Sequence, residues 1–404
     1  MRTRTENTAR VVVIGAGMAG ARLAARVPDV TVIGEETHAP YNRVLLAEVL
    51  AGRYAAEVIA LPPAEVRRGV RVVRIDREDR LVHCDDGSVV RYGRLVLATG
   101  SNPVLPPLRG LGHAMPDGVH AFRTLDDCLA LRASVRPGVS AVVIGGGLLG
   151  VSAARALAEC GAQVVLAHQG EHLMERQLDA ESAELLRRHL ESLGVEVHTE
   201  CRVRGLRCAD GAVRAVELAD GYELAAEITV LACGVRPRTG LAQAAGLEVR
   251  KGVVVDDQLR TSDPYIHAVG DCAEHRSTVY GLAGPALEQA DVLAEVLAGR
   301  PARYDGTRAL TRLTLNGPDD PGAGALDLAA FGDSRPLPGD DVIRLADATR
   351  GAYRTVVVRG DRLAGGVLLG DLAAVGTLAR TWQDDAPLPA ETSLLHLLTN
   401  DGGF

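Results

Sequence analysis

The stretch Val11–Gly20, VVVIGAGMAG, decides the fold of this 404-residue sequence. Its first four residues are apolar and β-branched, which predicts a buried strand of a parallel sheet. The spacing G-x-G-x-x-G follows, in which Gly15 permits a tight turn and Gly17 lets a pyrophosphate approach the backbone. Gly20 lets the next helix pack closely against the strand. The stretch therefore predicts a turn that binds the phosphates of a dinucleotide.

Residues on both sides of this turn support that interpretation. The backbone amides of Met18 and Ala19 open the predicted helix and face the phosphate position. A second strand, Val30–Ile33, ends near Glu35 and Glu36, where a carboxylate can accept hydrogen bonds from both ribose hydroxyls. A lone G-x-G-x-x-G is often only a glycine turn, but a strand, a helix and a terminal acid in this order favour dinucleotide binding.

The composition is that of a globular protein of two or three domains, with 47% hydrophobic and 24% charged residues. A net charge of −8 argues against DNA or an anionic membrane as the main partner. Aromatic residues make up only 3%, which argues against broad stacking surfaces for single-stranded nucleic acid. No apolar run reaches the length of a membrane span, and the polar residues 1–10 lack the apolar core of a secretory signal. We therefore expect a cytoplasmic protein.

The seven cysteines are scattered, and no C-x-x-C occurs. This pattern excludes the spacing of a redox-active disulfide, a zinc ribbon or an iron–sulfur cluster, so we predict no metal site. An odd number of unpaired cysteines is also typical of a reducing compartment.

The pattern of the opening stretch restarts in the middle of the sequence. A strand over Ala141–Ile144 leads into a second G-x-G-x-x-G, GGGLLG over Gly145–Gly150, and a helix follows over Val151–Cys160. Gln163–Ala167 then predicts the second strand of this unit. The sequence thus contains an internal repeat of a whole nucleotide-binding unit. Two such units indicate two bound dinucleotides, or one dinucleotide beside a degenerate copy.

Three further predicted strands run into glycine turns, over Leu95–Gly100, Ile228–Gly234 and Tyr265–Asp271. In the third, Asp271 lies at a helix entrance, where its carboxylate can hydrogen-bond a polyol. Its alternative role is an ordinary helix N-cap. The helix predicted over Pro285–Leu297 has an N-terminus that can stabilise negative charge.

A linker rich in Gly, Pro and Asp, Asn316–Gly324, predicts a boundary before a C-terminal part. The strands and helices predicted beyond it are Val342–Leu345, Ala352–Arg359, Gly365–Leu369, Leu372–Trp382 and Glu391–Leu398.

Together these stretches resemble the FAD-dependent pyridine-nucleotide oxidoreductases with a glutathione-reductase-like architecture. Within that family the sequence particularly resembles the flavin portion of the bacterial assimilatory nitrite reductase large subunit, and then the rubredoxin and ferredoxin reductases. The resemblance covers nearly the whole sequence. It rests on the motifs PYNRVLL (40–46), GGGLLG (145–150), LMERQLD (173–179), HAVGDCAEH (267–275), VYGLAGPALEQA (279–290) and GGVLLGD (365–371).

The resemblance implies an α/β fold with two Rossmann-like dinucleotide-binding domains, one for FAD and one for NAD(P), and a C-terminal α+β domain. The FAD-binding domain is expected to be discontinuous, over residues 1–115 and 240–312. The NAD(P)-binding domain is expected over 116–239 and the C-terminal domain over 313–404.

In this family the first glycine loop holds FAD and the second holds NAD(P)H. The expected FAD-binding residues are Gly15, Gly17, Met18, Ala19, Gly20, Glu35, Glu36, Arg43, Ala98, Thr99, Gly100, Gly270, Asp271 and Glu288. The expected NAD(P)-binding residues are Gly145, Gly147, Leu148, Leu149, Gly150, His168, Arg176 and Gly234. The flavin itself would carry the chemistry without a catalytic side chain, with Arg43, Glu48 and Ser152 as candidates near its ring. For Arg43, the residue pattern alone fits an exposed salt bridge equally well.

Three positions depart from the family pattern. At the position where the family carries a Glu beside the nicotinamide, this sequence has Ser152, which we interpret as an ordinary helix residue. At the position where the family carries a Lys near the flavin, it has Glu48. At the position where the family carries an acid that binds the NAD ribose, this sequence has His168. An imidazole cannot repel a 2′-phosphate and would become a cationic donor if the phosphate raised its pKa, with Arg176 as a second donor. This slightly favours a site that prefers NADPH over a weakened site that accepts either nucleotide or neither.

The resemblance implies transfer of a hydride from NAD(P)H to FAD and then of electrons to a redox protein, which could be a siroheme protein, a ferredoxin or a rubredoxin. Because the sequence contains neither the cysteine-bound cluster module nor the siroheme domain of the large nitrite reductases, we do not expect it to reduce nitrite alone. Tyr41–Leu50 contains no cysteine, which argues against a thiol-based mechanism. A monomer or homodimer is expected.

Two other functions remain open at this point. The protein could be a tailoring oxidoreductase that acts directly on a small organic or nitrogenous substrate at the flavin. It could also be a flavin-bound or degenerate subunit with a structural role.

Overall fold

The computed structural model describes residues 11–62, 65–112, 114–315, 325–347, 349, 351–389 and 394–398. Within this part the chain forms two parallel five-stranded sheets and one antiparallel five-stranded sheet, with helices packed against them. The predicted α/β fold with two Rossmann-like units and a C-terminal α+β part is confirmed. The predictions for residues 1–10 and for the linker Asn316–Gly324 lie outside the described residues.

The first parallel sheet is built around the opening strand of the sequence. Its strands are β1 (Val11–Ile14), β2 (Val30–Ile33), β3 (Val66–Arg67), β7 (Arg94–Leu97) and β19 (Ile266–Ala268). They lie in the order β19-β7-β1-β2-β3. All four residues of β1 are buried, which is why the run of β-branched residues forms a central strand. β19 comes from a distant part of the chain and pairs in parallel with β7.

Helices and a small sheet complete this first unit. They are α1 (Met18–Ala24), α2 (Leu46–Leu50), α7 (Ala283–Leu297) and the antiparallel strands β4 (Val72–Asp76), β5 (Leu81–Cys84) and β6 (Val89–Arg91). A 3₁₀ turn over Arg43–Leu45 precedes α2. α1 packs against α7, and a salt bridge of 2.7 Å joins Arg22 of α1 to Asp291 of α7.

The second parallel sheet repeats the first. Its strands are β9 (Val119–Ala121), β10 (Ser140–Ile144), β11 (Gln163–Ala167), β12 (Val195–His198) and β16 (Ile228–Leu231). They lie in the order β12-β11-β10-β16-β9, so β10 again lies in the centre. The other elements of this unit are α3 (Leu125–Ser134), α4 (Leu148–Glu159), α5 (Ala180–Ser192) and the antiparallel strands β13 (Val203–Ala209), β14 (Ala212–Leu218) and β15 (Glu223–Ala225).

Two short strand pairs and one short helix complete this part of the chain. They are β8 (Ser101–Pro103) with β17 (Val235–Pro237), β18 (Val253–Val255) with β20 (Ala273–His275), and α6 (Gly240–Ala244). Through the β8–β17 pair, the segment that follows β7 of the first sheet lies beside the segment that follows β16 of the second sheet. The predicted domain boundaries near these segments stay predictions.

The C-terminal part is an antiparallel sheet with one helix. Its elements are β21 (Leu310–Leu315), β22 (Leu326–Gly332), β23 (Asp341–Asp347), β24 (Ala352–Arg359), β25 (Arg362–Leu369) and α8 (Val375–Gln383). β21 and β22 were not predicted from the sequence. Of the predicted helix Glu391–Leu398, the described residues form a 3₁₀ turn over Leu394–Leu397.

The buried residues form separate cores that fit this division. One surrounds the first sheet, while another is shared by the second sheet, α2 and the C-terminal sheet. The α2 helix therefore packs on the second unit although it follows the first glycine loop. Along the described residues, no helix combines the length and apolarity that a membrane span requires.

Candidate functional site

The first glycine loop connects β1 to α1 and is shaped by close backbone contacts. Gly15 has a φ of 111°, and a Cβ there would lie 2.1 Å from the carbonyl oxygen of Ala98. A Cβ on Gly20 would lie 2.0 Å from the carbonyl oxygen of Gly15, so both positions require glycine. At Gly17, by contrast, the nearest atom to an added Cβ is Arg43 Nε, 3.9 Å away. This is the open space that the sequence assigns to a pyrophosphate.

The two acids after β2 have different partners. Glu36 accepts a hydrogen bond from the Tyr41 hydroxyl at 2.7 Å and pairs with the guanidinium of Arg43. Glu35 pairs with the guanidinium of Arg238. The Arg43 side chain is only 24% exposed, so its ion pair is partly buried rather than an exposed loop contact. Its charge beside the open face of the glycine loop fits a phosphate.

The turn after β19 brings Asp271 to residues from two other segments. Its Oδ2 accepts hydrogen bonds from the Arg123 guanidinium at 2.6 Å and from the Ser101 hydroxyl at 2.8 Å. The N–H of Gly270 donates to Gln289 Oε1 at 2.7 Å. Asp271 therefore binds polar side chains at this site, and its carboxylate does not act as the cap of a helix.

Arg123 is a site residue that the sequence analysis missed. Its Nε is buried without a hydrogen-bond partner among the described residues, and its carbonyl oxygen accepts a bond from Arg43 at 3.0 Å. Leaving a buried donor unpaired costs about 1–3 kcal/mol, so this atom fits an acceptor that a ligand brings. The open space at Gly17, the cationic Arg43 and this unpaired donor together fit the phosphates and polyol of FAD.

Most of the remaining predicted FAD residues lie beside the first glycine loop, and Glu288 lies away from it. Met18 and Ala19 are the first residues of α1 behind the open face of the loop. Thr99 donates its hydroxyl hydrogen to the carbonyl oxygen of Arg238 at 2.8 Å, and Gly100 has a φ of 70° in the turn that follows β7. These residues lie beside the glycine loop.

Glu288 is not brought to this cluster. It is exposed on α7, and its Oε2 accepts a hydrogen bond from the Thr307 hydroxyl at 2.6 Å. The neighbouring Gln289 points inward instead and reaches Gly270. A helix places consecutive residues about 100° apart, which explains why Glu288 and Gln289 lie on different faces of α7.

The second glycine loop repeats the geometry of the first. Gly145 has a φ of 115°, and an added Cβ would lie 2.4 Å from the carbonyl oxygen of Ala232. A Cβ on Gly150 would lie 1.7 Å from the carbonyl oxygen of Gly145. Among the described residues, nothing lies within 4 Å of a Cβ added to Gly147 or Gly234. This loop therefore offers a second open face at the start of the twelve-residue helix α4.

His168 follows β11 and lies against this second loop. Its Nδ1 accepts a hydrogen bond from the N–H of Gly146 at 3.1 Å. The side chain is 15% exposed, and burial lowers the pKa of the imidazole. Glu175, which the sequence analysis did not single out, places its Oε2 4.0 Å from His168 Nε2. Arg176 is exposed on the same turn.

Glu48 and Ser152, two of the three candidates near the flavin ring, are bound to other residues of the chain. Ser152 donates its hydroxyl hydrogen to the carbonyl oxygen of Leu148 at 2.8 Å, as an ordinary residue within a helix. Glu48 pairs with the guanidinium of Arg155, a side chain that is 1% exposed. The helix α4 therefore supplies a buried arginine opposite the acid on α2.

Residues 9–290 match the family model described as pyridine nucleotide-disulphide oxidoreductase. The chain belongs to this family. The resemblance inferred from the sequence motifs is thereby confirmed, and so is its assignment to a class of oxidoreductases.

Individual family members are similar along nearly the whole chain. The chain is 35% identical over 405 residues to the NAD(P)H nitrite reductase of Bacillus subtilis (strain 168), which covers 96% of this chain and 49% of that protein. It is 36% identical over 378 residues to the assimilatory nitrate reductase electron transfer subunit of the same organism, with 90% and 48% covered. The chain thus spans about half the length of these curated relatives.

A solved structure of the covalent putidaredoxin reductase–putidaredoxin complex has the same fold. It superimposes with a TM-score of 0.84 at 26% sequence identity, covering 96% of this chain and 98% of that chain. Because the match covers 96% of this chain, it includes both parallel sheets and the C-terminal sheet.

Proposed function

We propose that the protein is an FAD-dependent NAD(P)H:acceptor oxidoreductase that passes electrons to a separate redox protein. The observation that carries this proposal is the pair of glycine loops with the same geometry in one chain. Each loop has two glycines that no other residue can replace and one whose open face meets the start of a helix. Two dinucleotides in one chain fit a reaction in which one reduces the other.

The residues around the first loop would hold FAD. Arg43 would meet the pyrophosphate beside Gly17, while Asp271 and Arg123 would bind the polyol or phosphate oxygens. When bound, FAD accepts a hydride from a nicotinamide and passes its electrons onward. The protein contributes the binding groups, the orientation and the exclusion of water rather than a nucleophile.

The cysteines support a mechanism without a thiol. All seven are free, and Cys272 is fully buried next to Asp271 with its Sγ donating to the carbonyl oxygen of Leu97 at 3.3 Å. Burial raises the pKa of this thiol, which disfavours the reactive thiolate. We place the reaction in the cytoplasm, which the free cysteines support.

The acceptor that we propose is a siroheme protein, a ferredoxin or a rubredoxin. One relative is an electron transfer subunit, and one structural relative is a reductase in a complex with putidaredoxin. A homodimer or a monomer can serve this function equally, since both loops lie in one chain.

The experiment is reduction of the purified protein under anaerobic conditions. We expect a yellow protein that NAD(P)H bleaches and that then reduces ferricyanide. Gly17→Val tests the FAD loop, because its side chain meets open space in the protein and should not disturb the fold. It should lower the affinity for FAD at least about tenfold by blocking the pyrophosphate.

The matched variant is Gly147→Val, which fills the corresponding space in the second loop. It should keep its FAD and lose its bleaching by NAD(P)H. A colourless wild-type protein would contradict the proposal and favour a structural role. Bleaching only by a small organic compound would favour direct action on that compound.

A further inference from the structure

The carboxylate of Glu175 lies close to His168, the residue that follows β11 of the second glycine-loop unit. Its Oε1 accepts a hydrogen bond from the N–H of Glu171 at 2.9 Å. A Cβ added to Gly170 would lie 2.5 Å from the Cδ of Glu175. Its Oε2 is 4.0 Å from His168 Nε2, at the end of β11. The side chain is 43% exposed, so one face remains open to a ligand.

His168 itself cannot act as a cation at this position without losing a contact. Its Nδ1 accepts the hydrogen of the Gly146 N–H, so the lone pair that a second proton would need is already engaged. Burial further disfavours the charged ring by lowering its pKa. The imidazole therefore remains neutral, bound to the glycine loop through Nδ1 and with its Nε2 4.0 Å from the Glu175 carboxylate.

We infer that Glu175 selects the nicotinamide nucleotide and that it favours NADH over NADPH. This inference rests on the proposed function, because it assumes that the second loop binds a nicotinamide nucleotide. In a unit of this type, the end of the second strand meets the adenosine ribose. A 2′-hydroxyl can donate to the Glu175 carboxylate, whereas a 2′-phosphate would meet its negative charge.

The groups around Glu175 include Arg335, which donates to the carbonyl oxygen of Glu175 at 3.1 Å, and His172, whose Nδ1 lies 3.9 Å from Glu175 Oε1. Arg176 lies on the exposed side of the turn, and Glu171 adds a second acid to the same segment. On the adjacent helix α5, Arg187 is bound by two acids, Glu184 at 2.7 Å and Glu191 at 2.5 Å. The sequence alone pointed slightly to NADPH because Glu175 is seven positions after the residue that normally carries the acid.

The test is equilibrium binding of ADP-ribose and of 2′-phospho-ADP-ribose to the purified protein by titration calorimetry. Neither probe carries a nicotinamide, so the readout does not depend on reduction of the flavin. The wild-type protein should bind ADP-ribose at least about tenfold more tightly than its 2′-phosphate. Glu175→Gln should reduce that ratio to within about threefold, because the amide keeps the acceptor for Glu171 N–H and removes only the charge.

The matched control is Glu171→Gln, which removes the same charge from an exposed side chain of the same turn. It should change the ratio by less than about twofold, as expected for an exposed charge. The inference is overturned if Glu175→Gln keeps the wild-type ratio, if Glu171→Gln shifts it equally, or if the wild-type protein prefers the phosphate. Binding of neither probe would instead overturn the proposed function, and the inference with it.

Discussion

A single arginine joins three segments of the candidate FAD site. The guanidinium of Arg123 donates to Asp271 and, at 2.7 Å, to the hydroxyl of Ser101, while its carbonyl oxygen accepts a bond from Arg43. Its Nε stays buried without a partner in the described structure. The planar fork of an arginine presents five N–H donors in a fixed geometry, whereas a lysine offers three on a flexible stem and has no donor at the position of Nε.

Arg123→Lys should therefore weaken binding of FAD to the flavin-free protein by about tenfold or more while the protein stays folded. The measurement is titration of FAD, followed by the quenching of its fluorescence. Arg132→Lys is the matched control, because this exposed arginine of α3 donates to the carbonyl oxygen of Val49 outside the site. Equal affinities of the two variants would show that Arg123 does not contact FAD.

At the residue scale, the sequence predicts the glycines of the candidate site but not Arg123. Gly15 and Gly20 were predictable, because their need for a positive φ or a close backbone approach leaves a fixed local spacing. Arg123 is one of 44 basic residues, and its only local signal is the capping box of Thr124 and Asp127 that starts α3. That signal predicts where a helix begins, but it says nothing of a partner 148 residues away.

At the scale of elements, α2 and α4 join the first unit to the second through a network of four charges. Arg155 pairs with Glu48 and, at 2.8 Å, with Glu159. Arg53 donates to Glu159 and lies 3.8 Å from Glu48. Two acids alternate with two bases, so the network is neutral although Arg155 is almost fully buried. Two helices from different units are thereby held in one relative position.

Arg155→Met should destabilise the protein by about 3 kcal/mol, because it leaves two partly buried carboxylates to share Arg53. The measurement is the urea midpoint of the flavin-free protein. Arg188→Met is the control, since Arg188 is 67% exposed and pairs with Glu184 on the surface of α5. A midpoint shift no larger than that of the control would show that the network does not contribute to stability.

The elements themselves were largely predictable, whereas their pairing was not. β1, β7, β10, β16 and β19 follow from buried runs that end in glycine, such as Ile228–Leu231, whereas β3, β9 and β12 were not predicted from the sequence. β19 pairs with β7 of the first sheet through residues 266–268 and 95–97, and no periodicity in the sequence predicts this pairing. Only the resemblance to a family implied this discontinuous unit. The Glu48–Arg155 pair was hidden for the same reason, since the two residues are 107 positions apart in the sequence.

At the scale of the whole molecule, burial lowers the pKa of several histidines in the described part of the chain. These are His120, His168, His189 and His267. A histidine whose pKa is lower in the folded protein binds its proton first in the unfolded chain. Stability is therefore complete above the unfolded value of about 6.5 and falls as the pH decreases below it. Acids with lowered pKa values, such as Glu184 at about 2, act only at lower pH.

His267 should contribute most clearly to this pH dependence. It lies 2% exposed on β19 at the edge of the first sheet, and its pKa is lowered to about 4, by burial first and then by Arg260 and Arg94. Asp256 opposes this shift only in part. Protonation of the unfolded chain alone should then remove about 2 kcal/mol of stability between pH 7 and pH 5.

Urea unfolding of the flavin-free protein at pH 7 and pH 5 measures this loss. His267→Gln should lose about 2 kcal/mol less than the wild-type protein between the two pH values, whatever its stability at pH 7, because it has no proton to gain in the unfolded state. The exposed His396 supplies the control, and His396→Gln should keep the wild-type difference. An unchanged difference in His267→Gln would mean that this imidazole is protonated equally in the folded and unfolded chains, so the first sheet would not exclude its charge.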